Sequence, residues 1–282
     1  MSNQDSNSIK SAVKDAYTKA IEKPGSGCCG GGNGSPTDTM KGSLVKLAGY
    51  SSSELQSLPA DAVENAFGCG NPLAFSGVKE GDVVVDIGSG AGIDCLIASK
   101  IVGDNGKVIG LDMTPKMIEK ATENIRRAGA NNVEFRLGDA DDMPIANGIA
   151  DWVISNCVIN LAPDKDKVFA EIFRVLKPGG RVSISDVVLG TTLPEQVRTS
   201  ISALVGCVAG ALEETDYLQK MREAGLQEVK VTDRIVYDRS QIKGLTEGEC
   251  GCCDLEKELE PFLPQIDEQI WSAKISAKKP QI

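Results

Sequence analysis

VVVDIGSGAG, residues 83–92, decides the fold. Its first five residues are apolar apart from Asp86, as expected of a strand covered on both faces. Glycines at 88, 90 and 92 then turn the chain into AGIDCLIASKIV (91–102), which reads as a helix. The alternation continues outward. KVIGLD (107–112), VEFRLGD (133–139), DWVISNC (151–157) and RVSISDVV (181–188) read as further strands. TPKMIEKATENIRRAG (114–129) and PDKDKVFAEIFRVL (163–176) read as helices between them, the first with Thr114 as cap, Pro115 in its first turn and Gly129 at its end. Alternating β and α units of this length predict an α/β fold: a parallel sheet with helices on both faces. Beyond residue 189 the pattern predicts a helical region over 193–224 carrying Cys207. A strand pair follows, QEVKVTDRIVYD (227–238) and WSAKISAKKP (271–280), with TEGECGCCDLEKELEPFLP as an insertion between them.

Of the 282 residues, 41% are hydrophobic and 25% charged, enough for a packed core. Forty acids against 30 Lys and Arg give a net charge of -10, which argues against nucleic acid as a partner. No apolar run approaches the roughly 18 residues of a membrane span, and the polar start MSNQDSNSIKSAVKDAY is not a secretory signal. A cytoplasmic protein is expected, with its nine cysteines mostly reduced and a monomer as the default state. There is no histidine at all. That removes the usual base near neutral pH and the commonest metal ligand, so chemistry must run on thiolates, carboxylates or a cofactor.

Residues 8–23 place Ile9, Val13, Tyr17 and Ile21 on one helical face. PGSGCCGGGNGSP (24–36) follows, a linker by composition, although linkers have no need of the vicinal thiols Cys28 and Cys29. The expected organisation is an N-terminal helix and Gly/Cys-rich loop (1–40), a cofactor-binding domain (41–188) and a C-terminal substrate-binding region with the final strands (189–282).

Glycines after a first strand suit a ligand approaching the start of a helix. A dinucleotide turn and a ligand-free turn remain open on glycines alone. Three acids narrow the choice. Asp86 precedes Gly88 and Gly90 in a G-x-G-x-G spacing, Asp112 ends the second strand, and Asp139 ends the third. A phosphate would not want the first carboxylate, whereas a cofactor with an ammonium, a ribose and an adenine would use all three. That describes S-adenosylmethionine. The stretch 80–188, with LKPGGRVSISD (176–186) leading into strand five, resembles the class I methyltransferases and their Rossmann-like sheet. The resemblance implies that Asp86, Gly88 and Gly90 face the methionyl part and Asp112 holds the ribose. Met113 would pack on adenine, Asp139 and Ala140 would meet its edge, and Asn156 would stand beside the cofactor.

Cys95, on the inward side of the first helix of the sheet, is expected to be a small core residue. Three other cysteines have different company. Cys69 lies in FGCGNP, Cys157 in SNCVINL and Cys207 in LVGCVAG, and Gly68, Gly70 and Gly206 are expected to leave these thiols sterically open. With the N-terminal helix and its Cys-Cys loop, these segments resemble the arsenite methyltransferases over about 9–240. The resemblance implies that Cys69, Cys157 and Cys207 bind As(III), and that Cys28 or Cys29 serves delivery or disulfide exchange. It also implies a thiol reductant of thioredoxin or glutathione type. The chemistry is consistent: As(III) is thiophilic, its lone pair is the nucleophile, and no proton has to leave it, so no histidine is missed. The cluster CGCC (250–253) reads as an As(III)-loading patch, as part of a zinc site with Cys28 and Cys29, or as a tail without function. Two competing readings of the whole are a methyltransferase for a quinone, sterol or other small organic acceptor, and a thiol-based metalloid sensor.

Overall fold

The computed structural model describes residues 3–22, 50, 55–56, 58–66, 68, 70–192, 210–237 and 268–281. Seven strands form one sheet: β1 (Val83–Ile87), β2 (Lys107–Asp112), β3 (Val133–Leu137), β4 (Ala150–Asn156), β5 (Leu176–Leu189), β6 (Gln227–Val236) and β7 (Ile270–Lys278). Their spatial order is β3-β2-β1-β4-β5-β7-β6. The first five pair in parallel, and β7 runs antiparallel to both β5 and β6. The expected α/β class and the C-terminal strand pair are thus both present. The order reverses between β1 and β4, the switch point at whose carboxyl side open α/β sheets hold ligands.

Helices α1 (Asn3–Glu22), α2 (Ala60–Glu64), α3 (Ile93–Val102), α4 (Pro115–Ala128), α5 (Lys165–Val175) and α6 (Glu214–Glu223), with a short 3-10 turn at Ile159–Leu161, complete the described elements. α3 is apolar nearly all round and buries eight of its ten residues, whereas α4 buries only Met117, Ala121, Asn124 and Ile125 along one stripe. Two cores result. One joins α5, α6 and β5 through Phe169, Ile172, Ile184 and Tyr217; the other packs α3 through Leu96, Ala98 and Val102 beneath β1 and β2.

Four expectations shift. α1 starts earlier, at Asn3, and β5 begins at Leu176, because the LKPGG lead-in already pairs with Ala150. β3 stops at Leu137, so Asp139 sits in the turn beyond it, where it bridges Asp142. Thr114 occupies the cap of α4 without a side-chain cap bond; the Asp112 carboxylate instead accepts from its amide at 2.8 Å. Of the helical region expected over 193–224, the described part holds α6 alone; residues 193–209, like the 246–264 insertion, lie outside the described residues.

Ile184, fully buried at the centre of β5 and opposite both Ser155 and Ile275, anchors the parallel and antiparallel halves together. Ile184→Ala is expected to cost about 2–5 kcal/mol in denaturant unfolding, the range for emptying a core site that cannot collapse. A loss below about 1 kcal/mol would place the residue outside the core.

Candidate functional site

An open cleft of roughly 1010 Å³ lies over the carboxyl ends of β1, β2 and β4. Its floor is the glycine turn, residues 87–91. The turn is held by Gly88 and Ser89 amides donating to the Leu111 carbonyl at 2.7 and 2.9 Å. Gly88 and Gly90 have φ of 72° and 51°, a left-handed path that a side chain disfavours, and nothing lies within 4 Å of where a Gly90 Cβ would stand. Backbone there faces open space that a ligand can fill.

The three expected acids all border this floor, each with a different job. Asp112 accepts from the Gly90 amide at 3.0 Å through one oxygen and from the Thr114 amide through the other. Each oxygen keeps a second lone pair. Burial raises its affinity for protons, and those two amides oppose the shift. Asp86 is buried beneath the turn, where the Cys95 thiol donates to it at 3.2 Å. Its carboxyl is held well above the ordinary range, first by burial and then by the negative charge of Asp94. Cys95 is indeed a buried free thiol of the core, pushed up by burial and Asp86 so that it stays a donor. Asp139 borders the cleft with Ala140, and Met113 lines it between the two.

Sequence reasoning missed a second group. Asp94, in the first turn of α3, accepts from the Tyr50 hydroxyl at 2.7 Å and from the Asn156 amide at 3.1 Å. Burial and Asp94 push the Tyr50 phenol up, so it remains a donor. Asn156 borders the cleft as expected, but its carboxamide is engaged by protein. Its nitrogen also donates to the Gly70 carbonyl at 2.5 Å, and its oxygen accepts from the Gly70 amide at 3.1 Å. This changes the reading of the glycines around Cys69. A Cβ on Gly68 would stand 2.2 Å from the Asn156 amide, and one on Gly70 2.5 Å from Ser185 Oγ. β4 and β5 pack against their backbone, which by itself accounts for glycine at both positions. The cue that could have exposed Asp94 is its place, an acid in the first turn after a glycine turn.

Cys157 follows the last residue of β4 at φ 57°, a region that non-glycine residues rarely occupy. It is buried, its amide donates to the Ser185 carbonyl at 2.8 Å, and it borders the cleft. Such strain persists only where the surroundings impose it. Cys157 is disulfide-bonded. Cys69, Cys207, Cys28, Cys29, Cys250, Cys252, Cys253 and Gly206 all lie outside the described residues. Among the described residues no group of three or more potential ligands is poised for a metal ion, and no helix is long and apolar enough to cross a membrane.

Just beyond Cys157, Asn160 donates to Asp186 at 2.9 Å. Asp186 also accepts from the Val187 amide and the Tyr217 hydroxyl, at 3.0 and 3.2 Å. Burial raises its carboxyl to about 7.

Known proteins resemble this chain in sequence and fold. A methyltransferase domain family matches residues 78–225. The arsenite methyltransferase of Halobacterium salinarum is 42% identical over 241 residues, 83% of this chain and 61% of that protein. The arsenite methyltransferase of Homo sapiens is 39% identical over 170 residues, 56% of this chain and 44% of that one. This chain therefore spans roughly half the length of these curated relatives. The crystal structure of an arsenic (III) S-adenosylmethionine methyltransferase from Chlamydomonas reinhardtii superposes with a TM-score of 0.65 at 30% identity, covering 85% of this chain and 74% of that one.

Asp186 makes stability depend on pH in a direction opposite to a paired carboxylate. The folded chain holds a proton that the unfolded chain releases between about pH 4 and 7, so stability falls as pH rises through that window. Asp186→Asn should abolish this slope, gaining on the parent by on the order of 1 kcal/mol or more between about pH 5 and pH 8 in urea unfolding. A constant difference across that range would contradict the assignment.

Proposed function

Because this chain belongs to the methyltransferase-domain family and, within it, to the arsenite methyltransferases, we propose that it methylates As(III) with S-adenosylmethionine as donor. The substrate would be held by the thiolates of Cys69, Cys157 and Cys207.

The donor set of the cleft suits this cofactor. The neighbouring charges acting on Asp86 are those of Asp94 and Asp112, all negative, and Ser89 Oγ is buried with no partner among the described residues. A buried negative floor calls for a cation, and an ammonium with a sulfonium supplies one. Asp86, Gly88 and Gly90 would hold the methionyl end, the spare lone pairs of Asp112 the ribose hydroxyls, and Met113, Asp139 and Ala140 the adenine. When bound, the cofactor supplies an electrophilic methyl group on its sulfonium.

Cys157 carries the substrate half of the reading. Its backbone, strained at φ 57°, sets a buried sulfur at the border of the cleft. Three thiolates from three segments would form a pyramid around As(III) with its lone pair outward. Fixing that lone pair in line with a methyl donor supplies roughly 7–11 kcal/mol of barrier reduction without acid–base help. Each transfer to the lone pair leaves As(V). Its return to As(III) takes two electrons, which a dithiol provides on closing to a disulfide. A cellular thiol system of thioredoxin or glutathione type would reopen that disulfide. Since thiols titrate near 8.5, binding also releases protons.

Turnover with As(III), S-adenosylmethionine and a thiol reductant, with chromatographic separation of arsenic species, tests the proposal. Methylated arsenic is expected from the parent, with a loss of about 100-fold or more in Cys157→Ser, the scale on which misplacing a reactant acts. Omitting the reductant should stop turnover. A Cys157→Ser variant that keeps parental turnover would remove Cys157 from the substrate site, and no methylated arsenic from a parent that binds the cofactor would return the chain to an organic acceptor.

A further inference from the structure

Three residues of α1, Lys10, Val13 and Tyr17, border the cleft. Val13 is fully buried, so the helix is seated there. Lys10 does more than pack. Its ammonium donates to Asp139 at 2.9 Å and to Asp141 at 2.7 Å, tying the start of the chain to the turn beyond β3 across 129 and 131 residues.

That turn is crowded with charge. Asp139, Asp141 and Asp142 are three acids in four residues, and like charges at this spacing repel. An adenine amino group needs only one acceptor from them, in one orientation. Lys10 offsets the surplus charge and binds a single oxygen of each of two carboxylates, leaving the other oxygen of Asp139 available. It stays charged: burial opposes its protonation, but the bonds to Asp141 and Asp139 outweigh that and hold it above the ordinary lysine value. The Asp141 side chain is 11% exposed and that of Lys10 25%, so this pair is shielded better than a typical surface bridge, whereas the Asp139 side chain is 41% exposed.

We propose that Lys10 is a cofactor-positioning residue, which makes α1 a wall of the adenine pocket and aims Asp139 at the adenine amino group. The inference rests on the S-adenosylmethionine reading of the cleft. Lys10 touches no reacting atom and acts through Asp139 and Asp141.

Calorimetric titration of the full, reduced chain with S-adenosylhomocysteine tests it, with S-inosylhomocysteine as the analogue that carries a 6-oxo group in place of the amino group. Lys10→Met is expected to weaken S-adenosylhomocysteine by about three- to tenfold, the range for two partly shielded ion pairs. Lys10→Arg should restore binding to within about twofold of the parent, since its guanidinium can span both carboxylates. The 6-oxo analogue should bind the parent and Lys10→Met alike. Parental binding of S-adenosylhomocysteine by Lys10→Met would overturn the proposal. So would an equal loss for both analogues, which would reduce α1 to packing. If Lys10→Met does not fold, Asp141→Asn breaks the tie from the other side, and unchanged affinity there overturns the proposal equally. Failure of the parent to bind S-adenosylhomocysteine would remove the cofactor reading itself, and this inference with it.

Discussion

The carboxamide of Asn156 is the point on which the site hangs. It pairs both its oxygen and its nitrogen with the backbone of Gly70, and the same nitrogen reaches Tyr50 and Asp94. The amide offers one acceptor and two N–H donors in one plane, and the three acceptors around its nitrogen share those two hydrogens. Four distant pieces of chain meet there: the segment flanking Cys69, the end of β4 just before Cys157, the first turn of α3, and Tyr50. The close approach leaves no room for a Cβ at Gly68 or Gly70. Gly70 and the floor of the cleft are thereby placed by one side chain, and Cys157, directly after it at a left-handed φ, borders the same cleft.

The second constraint is charge. The cleft gathers the buried Asp86 and Asp94 with the half-buried Asp112, and desolvation raises Asp86 and Asp112 above their ordinary range. Such a floor is costly when empty and favours a cationic ligand. The chain has no histidine to build a proton relay. A lone-pair nucleophile meeting a sulfonium methyl needs neither base nor acid. It needs alignment, which packed strands and short hydrogen bonds provide.

The local elements were legible in the sequence because each carries its own period. VVVDI and KVIGLD are apolar runs interrupted by charge only at Asp86, Lys107 and Asp112, and α4 shows a stripe between Pro115 and Gly129. The strand pair at the C-terminus was legible for the same reason. What escaped was long-range. Lys10 reads as an ordinary solvent-facing lysine until α1 is laid across the turn beyond β3, and Tyr50 meets Asp94 across 44 residues without a motif. The glycines beside Cys69 were legible as glycines, but their reason was not, since the atoms that exclude a side chain belong to β4 and β5.

Arsenic K-edge X-ray absorption on the reduced chain loaded with one equivalent of As(III) tests the central claim most directly, because it counts the atoms bound to the substrate without requiring turnover. Three sulfur neighbours and no oxygen are predicted for the parent, with one sulfur lost in Cys157→Ser. Arsenic bound by oxygen, or a sulfur count untouched by that substitution, would contradict a three-thiolate site at the end of β4.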